Sequence, residues 1–288
     1  MDKLHYICLL LFSFFTLQNC TSQKAGTKNI STNTTIPYET IKDSAYCKPP
    51  SSNNVEYSFY NLPFFKTDRE VVLFNGGNIY QGFSFFNRDS LQIQLKKVIQ
   101  DREEWCVKED THSGLIELSH EVTYNEKDLV SFKLYYAEYG GSIHTYTEYY
   151  NYSIDDQEIN IRTDKGSILN IFKKEKKEEL TSKMNEYILK NIKNTLINGY
   201  DDFGEKISVE RKRNIEESIN NGDYTLAELP TEWAIEINGI EESQKEMGIS
   251  FHGIRVPSII TDASNDYSIF FTFKELHPYI VESFKKHM

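Results

Sequence analysis

Apolar and polar residues alternate along three consecutive segments in the middle of the chain. In residues 115–124 the even positions hold Ile, Leu, His, Val and Tyr, separated by Glu, Ser and Thr, which is the period of a strand with one buried face. A turn at residues 125–128 leads to a second run, and a third run at residues 143–152 follows Gly140 and Gly141. The apolar members of the second run share one face: Val130, Phe132, Leu134 and Tyr136.

Shorter aromatic and β-branched runs predict further strands. These runs lie at residues 55–65, 70–74, 79–86, 158–163, 233–237, 248–252 and 268–273. The sequence Asn-Gly-Gly-Asn at residues 75–78 predicts a hairpin between the second and third of them.

Apolar residues at helical spacing predict helices at residues 91–107, 173–196, 205–221 and 273–288. We expect Asp89 and Ser90 to cap the first helix and Gly222 to end the third. Pro278 suits an early turn of the last helix. The whole pattern predicts an α+β fold in two lobes, residues 38–152 and 153–288, with antiparallel sheets packed against amphipathic helices.

The N-terminus has the pattern of an exported chain. Residues 6–17 form an almost unbroken apolar run, which suits a signal-peptide core and is shorter than the roughly 20 residues that span a bilayer. Leu-Gln-Asn-Cys at residues 17–20 resembles a bacterial lipobox, although Asn19 replaces the usual small residue. We therefore predict a signal peptide at 1–19, a lipid on Cys20, and a location in the bacterial cell envelope, anchored to a membrane.

Residues 20–37 are small and polar, which indicates a flexible tether with a span of roughly 20–25 Å. A disordered end without a spacing role fits the same composition. Cysteine usage supports export. Cys8 leaves with the signal peptide, and if Cys20 carries lipid, then Cys47 and Cys106 remain as a pair that secretion allows to form a disulfide. Ordinary secretion without lipid would instead leave three mature cysteines, one of them unpaired.

Charge narrows the range of partners. The chain has 288 residues with 32 basic and 43 acidic side chains, a formal net charge of −11. That is the wrong sign for a protein that neutralises phosphates, so nucleic acid is not an expected partner.

Three segments then carry a resemblance to a known family: residues 129–136 (Leu-Val-Ser-Phe-Lys-Leu-Tyr-Tyr), 139–144 (Tyr-Gly-Gly-Ser-Ile-His) and 149–154 (Tyr-Tyr-Asn-Tyr-Ser-Ile). Their order resembles the paired domains of the RsiV-type anti-sigma factor ectodomain and of the PdaC-type peptidoglycan deacetylase. Residues 166–172, the long helix after them, and residues 271–280 resemble the second domain of that pair. The chain departs from the family by one extra residue before His144 and by Ile259 and Ile260 in place of a Tyr-rich turn.

The resemblance covers roughly residues 52–285 and implies a non-catalytic sensing or accessory module of the envelope. In the anti-sigma-factor branch such modules are associated with recognition of lysozyme. The candidate ligand-binding residues are those around the Gly-Gly step: Tyr139, Gly140, Gly141, His144 and Tyr146. An acidic surface favours a basic protein such as lysozyme, and peptidoglycan fragments are the other expected ligands.

Motifs for catalysis, cofactor binding or metal binding are absent from the sequence, so no catalytic residue, cofactor or metal is predicted. The histidines of the mature chain have no spacing typical of a metal site. Adjacent residues on a strand point to opposite faces, so neighbouring carboxylates are not expected to converge on one ligand: Glu103 with Glu104, Asp155 with Asp156, and Asp201 with Asp202. We expect these groups to be surface or structural.

Tyrosines recur between residues 135 and 152, and about half of them should fill the core while the rest offer contact area. Three functions therefore stay open. The first is a binding or sensing module. The second is an enzyme acting on envelope glycans, which would need His144 in a deep pocket beside two carboxylates. The third is a structural lipoprotein without a discrete ligand.

Overall fold

The protein combines β-strands with α-helices. The computed structural model of the chain describes residues 35–48, 55–69, 71–75, 83–108, 114–139, 142–154, 171–239, 245–260 and 267–288. The strands are β1 (Tyr38–Cys47), β2 (Glu56–Phe65), β3 (Val71–Asn75), β4 (Gly114–Glu126), β5 (Leu129–Tyr139), β6 (Ile143–Ile154), β7 (Trp233–Asn238), β8 (Glu246–Ile254) and β9 (Tyr267–Thr272). The helices are α1 (Arg88–Lys108), α2 (Lys177–Asn198), α3 (Val209–Asn221), α4 (Phe273–Leu276) and α5 (Glu282–Lys285). The α+β prediction is confirmed.

A six-stranded sheet in the order β1-β2-β4-β5-β6-β3 forms the first layer. Its centre is the predicted run of three strands, β4, β5 and β6, which pair antiparallel. Lys127 and Asp128 alone connect β4 to β5, and both have positive φ (49° and 61°), the geometry of a tight turn that follows the twist of its strands. The contact between β2 and β4 is parallel, so the sheet is mixed.

Helix α1 packs on one face of this sheet and closes the first hydrophobic core. Leu91 and Leu95 on α1 are buried with Phe132 of β5 and Tyr150 of β6. The helix begins earlier than predicted, because the side chain of Asn87 accepts a hydrogen bond from the N–H of Ser90 at 3.0 Å and serves as the cap.

A disulfide between Cys47 and Cys106 ties β1, at the edge of the sheet, to α1, and the two Cα atoms are 5.7 Å apart. These are the two cysteines that we predicted to form a disulfide in an exported chain. Both cysteines are buried.

The second layer is a three-stranded antiparallel sheet in the order β7-β8-β9. It shares a second core with α2, whose buried side chains recur at the predicted helical spacing: Leu180, Met184, Ile188, Ile192 and Leu196. Helix α3 starts after Ser208 and ends at Gly222, which adopts the left-handed conformation expected of a helix terminator. Tyr124 and Leu129 of the large sheet also belong to this core.

Strand β7 lies on the face of the large sheet opposite α1, and buried polar side chains join the two sheets. Asn151 donates to the carbonyl of Trp233 at 2.8 Å, and the N–H of Ile235 donates to Ser131 Oγ at 3.1 Å. Thr123 Oγ1 donates to the carbonyl of Ile235 at 2.8 Å. We call Thr123, Ser131 and Asn151, with the β7 backbone they contact, the polar seam.

Three predicted elements differ from the structure. The helix predicted at 205–221 begins only at Val209, where the side chain of Ser208 accepts a hydrogen bond from the N–H of Arg211 and serves as the cap. The single closing helix predicted at 273–288 is wrong, because the chain turns after Leu276 and Ile280 forms a β-bridge with Phe172, which leaves only the short helices α4 and α5. Residues 83–86 are a turn and not the end of a strand. Strand β1 was not predicted.

Several predictions lie outside the described residues. These are the signal peptide, the lipid on Cys20, most of the tether, the turn at 76–78 and the strand at 158–163. Every described residue belongs to one compact unit, Asn33–Met288, and the predicted lobe boundary at residue 152 stays a prediction. Within the described part, no helix is long and apolar enough to cross a bilayer.

Candidate functional site

The candidate residues lie at the tip of the hairpin formed by β5 and β6. Gly140 and Gly141 themselves fall outside the described residues. On either side of them Tyr139 pairs with Ile143 and Glu138 pairs with His144. The side chain of His144 is exposed, and its Nε2 lies 2.8 Å from Ser142 Oγ.

The strand register divides the candidate residues between two faces of the sheet. Because side chains alternate along a strand, His144 and Tyr146 share a face with Glu138, whereas Tyr139 lies on the other face with Ile143. The predicted group is therefore not a single cluster of side chains. His144 and Tyr146 are the two members that the structure brings together on one surface.

Tyr146 is the exposed aromatic group of this surface. Its ring stacks on the ring of Tyr136 across the strand pair, with centroids 4.9 Å apart and planes 17° from parallel. Tyr136 is buried, while 45% of Tyr146 is exposed. The buried ring holds the outer ring flat against the sheet, which leaves the other side of Tyr146 open to a ligand.

Carboxylates flank the tyrosine stack. Glu148 lies on the same face as Tyr146, two residues along β6, but it is buried, and its Oε2 accepts a hydrogen bond from the hydroxyl of Tyr150 at 2.8 Å. Burial, followed by the nearby charges of Glu148 and Glu138, raises the pKa of Tyr136 far above its ordinary value. The hydroxyl therefore stays protonated throughout the physiological range, and the surface around it is acidic.

We name Glu138, His144 and Tyr146 the hairpin-tip surface, with Glu148 buried beside it. The surface combines one flat aromatic ring, one exposed imidazole and one partly exposed carboxylate on a rigid strand pair. This arrangement offers contact area and negative charge. His144 lies at the open end of a strand, which is the geometry of a contact residue and not of an enclosed acid–base group.

The tyrosines of the series divide much as expected. Four are buried: Tyr136, Tyr149, Tyr150 and Tyr152. Tyr150 stacks on Phe132 with centroids 5.1 Å apart and helps to form the core under α1. Tyr149 points the other way and stacks on His252 of β8 at 4.2 Å, so it joins the two sheets.

An ionic cluster between the sheets was not predicted. Lys133 Nζ lies 2.6 Å from Glu236 Oε1, and Ser250 Oγ donates to the other oxygen of Glu236. His252 Nε2 is 3.8 Å from the same carboxylate. These groups are mostly buried and compensate one another, so they fasten β5 to β7 and β8. No sequence signal links Lys133 to residues about a hundred positions later.

The other neighbouring carboxylates considered from the sequence make structural contacts. Asp201 is buried and paired with Arg211, and Glu103 accepts a hydrogen bond from the N–H of Tyr46 at 3.2 Å. Asp155 and Asp156 lie outside the described residues. In the described part of the chain, no three side chains of the metal-binding types come together.

A second exposed aromatic group lies on β1 and β2. Tyr46 and Tyr57 pair across the strands with ring centroids 5.8 Å apart, and Phe59 lies on the same face. All three are largely exposed. The alternation within residues 55–65 could have shown that Tyr57 and Phe59 share a face, but it could not have shown which face is covered.

Comparison with known proteins gives similarities among solved structures only. No protein-family model matches the sequence, and no curated protein matches it. Among solved structures, a member of the DUF3298 family from Bacteroides fragilis NCTC 9343 aligns with a TM-score of 0.52 and 13% identity, over 88% of this chain and 97% of that one. A DUF3298 family protein from Pseudomonas aeruginosa PAO1 aligns with a TM-score of 0.46 and 9% identity, over 87% and 97%.

At 13% identity the similarity to the Bacteroides protein shows a shared α+β fold across most of both chains. A bacterial domain of uncharacterised type fits this result. The resemblance to the RsiV and PdaC families stays a prediction.

Proposed function

We propose that this chain is a non-catalytic binding module of the bacterial cell envelope, held to a membrane through Cys20, and that its hairpin-tip surface binds a basic protein such as lysozyme. The observation that supports this most is the stacking of Tyr146 on Tyr136, which holds an exposed aromatic ring on the same face as the partly exposed carboxylate of Glu138. Tyrosines fixed in this way are enriched at protein interfaces, since they offer area at little cost in side-chain entropy.

Charge favours a basic partner. The chain carries a net charge of −11, and the partly exposed Glu138 lies on the hairpin-tip surface itself. A positively charged protein would be attracted to this surface over about one Debye length, roughly 8–10 Å at physiological salt. The attraction should raise the association rate and weaken as salt is added.

Calorimetric titration tests the proposal. A fragment of residues 21–288, which keeps the whole compact unit, is titrated with a c-type lysozyme and separately with soluble peptidoglycan fragments, each at two salt concentrations. We expect saturable binding of lysozyme that weakens at the higher salt. Tyr146→Ala should weaken it by about tenfold or more, as for an aromatic anchor at the centre of an interface.

The chain offers a matched control. Tyr46 is 49% exposed and also contacts one neighbouring tyrosine, but it lies on the opposite edge of the sheet from β6. Tyr46→Ala should leave binding unchanged. Equal weakening by the two substitutions would contradict the proposed surface, and absence of heat with either ligand would contradict the binding function. Cys20→Ala should separately release the protein from membranes, and continued membrane retention would refute the anchor.

A further inference from the structure

The connection between α2 and α3 forms a small hairpin-like loop. The N–H of Ile207 donates to the carbonyl of Gly199 at 2.9 Å, and the N–H of Asp201 donates to the carbonyl of Glu205 at 2.8 Å. Tyr200 and Lys206 form a β-bridge between these two bonds. Phe203 and Gly204 lie at the turn, and we call residues 199–207 the α2–α3 tip.

A buried carboxylate fixes the shape of the tip. Oδ1 of Asp201 accepts hydrogen bonds from the N–H groups of Phe203 at 3.2 Å and Glu205 at 2.8 Å. Its Oδ2 lies 3.2 Å from Arg211 Nη1, and Arg211 also donates to Ser258 Oγ at 3.0 Å. A carboxylate bonded on both oxygens holds the loop in one conformation, so its outward side chains are presented by a rigid base.

The rigid tip presents apolar side chains to solvent. The exposed fractions of these side chains are 78% for Ile197, 57% for Tyr200, 51% for Phe203 and 88% for Val209. The bond between Gly199 and Ile207 brings the end of α2 beside the start of α3, so Ile197 and Val209 flank the tip. Single exposed apolar residues are ordinary, but two exposed aromatic side chains on one fixed loop, with an exposed aliphatic side chain on each flanking helix, indicate a contact site.

Local charge identifies the kind of contact. Three exposed acidic residues around the tip are balanced by three exposed basic ones: Asp202, Glu205, Glu210, Lys206, Lys212 and Arg213. This surface is therefore neutral on a chain of net charge −11, and an anionic bilayer would repel it least. Tyrosine and lysine also suit the boundary between lipid headgroups and acyl chains, because each has an apolar body and a polar end.

The N-terminal segment limits the distance between the folded unit and a membrane that holds Cys20. Fourteen residues, 21–34, separate Cys20 from the first described residue, and they extend to at most roughly 50 Å. We propose that the α2–α3 tip inserts Phe203, with Tyr200 and Val209, into the headgroup region of the membrane to which Cys20 is attached. The insertion would orient the folded unit on the bilayer. This inference rests on the proposed lipid anchor only for keeping the tip near the membrane.

Quenching by brominated lipids tests the insertion. In residues 20–288 the only thiol outside the disulfide belongs to Cys20, so it can be coupled to a maleimide lipid in phosphatidylcholine vesicles. Phe203→Trp, combined with Trp105→Phe, leaves one indole that lipid can reach, because Trp233 is fully buried, and the emission of Trp233 is subtracted with the Trp105→Phe protein. Brominated acyl chains should remove about half or more of the emission at position 203, as expected for interfacial depth.

Ile93→Trp, on α1 and also with Trp105→Phe, is the matched control, since Ile93 is exposed but lies outside the tip. Its emission should be unchanged by bromination. The proposal is overturned if neither indole is quenched, or if both are quenched equally. It is also overturned if the uncoupled protein dimerises in sedimentation and thereby shields position 203, which would make the tip a protein contact. Chemical coupling makes these outcomes independent of lipidation in cells and of lysozyme binding.

Discussion

Asn151 on β6 donates its side-chain amide to the main-chain carbonyl of Trp233, 82 residues later, at 2.8 Å. The contact matters because β7 is an edge strand of the small sheet and lies against the buried face of the large one. A buried strand edge needs partners for its backbone groups. Side chains of the polar seam supply them, so the two sheets are joined by specific hydrogen bonds as well as by apolar contact.

Removing the Asn151 amide should therefore destabilise the protein. Asn151→Leu leaves the Trp233 carbonyl and Ser131 Oγ without this partner, and we expect a loss of about 1–3 kcal/mol in the free energy of unfolding. Urea denaturation followed by circular dichroism measures it. Asn194→Leu, at an exposed position of α2, is the control and should change stability by less than about 0.5 kcal/mol. Equal midpoints for the two variants would show that the seam adds no stability.

The disulfide should stabilise the fold by lowering the entropy of the unfolded chain. Cys47 and Cys106 are 59 positions apart, and closing a loop of that length lowers the entropy of the unfolded state by an amount equivalent to about 4 kcal/mol. The double variant Cys47→Ala, Cys106→Ala should lose about 3–4 kcal/mol, and reduction of the native protein should lower its urea midpoint in the same direction. A reduced protein that unfolds at the original midpoint would contradict this expectation.

Substitutions of the two stacked tyrosines should have different effects on the stability of the fold. Tyr136 is buried, so Tyr136→Ala should cost about 3–5 kcal/mol, whereas Tyr146→Ala loses only the outer ring and about 0.5–1.5 kcal/mol. Thermal unfolding of both variants checks the difference. A large loss of stability in Tyr146→Ala would mean that its effect on ligand binding cannot be assigned to the surface.

Acid should weaken the fold through His120. Its Nδ1 lies 3.1 Å from the carbonyl of Asn61, and burial lowers its pKa despite that hydrogen bond. Because the folded pKa lies below the ordinary value of about 6.5, the contribution is complete above that pH and is lost as pH falls through it toward the folded pKa. In urea unfolding between pH 7.5 and 5, His120→Gln should lose less stability than the wild type. His277→Gln, at an exposed position, should behave as the wild type does.

Local patterns were enough to predict the central strands but not their surroundings. The alternation in β5 correctly placed Val130, Phe132 and Leu134 on a buried face. It also implied that the intervening residues face solvent, yet Ser131 is buried as well, because β7 covers that face. Such burial depends on a segment about a hundred residues away, which no local period can report.

The sequence-based predictions were also wrong or incomplete at the edge of the large sheet and at the ends of elements. Strand β1 has mostly exposed positions, since it lies at the edge of the sheet, and its sequence therefore lacks a clear apolar face. The closing segment has helical spacing, but the bridge between Phe172 and Ile280 competes for its backbone. At the candidate site, the spacing of Tyr139 and His144 in the sequence could not show that they lie on opposite faces, which the pairing register decides.

The polar seam also has a consequence for the order in which the chain folds. Thr123 meets Ile235 across 112 positions, and Asn151 meets Trp233 across 82. All six strands of the large sheet lie within the first 154 residues, whereas β7 begins only at Trp233. Pairings over such distances close slowly. In a chain that folds after export, we therefore expect the large sheet to form first and the face that bears Ser131 and Asn151 to stay bare until β7 docks on it.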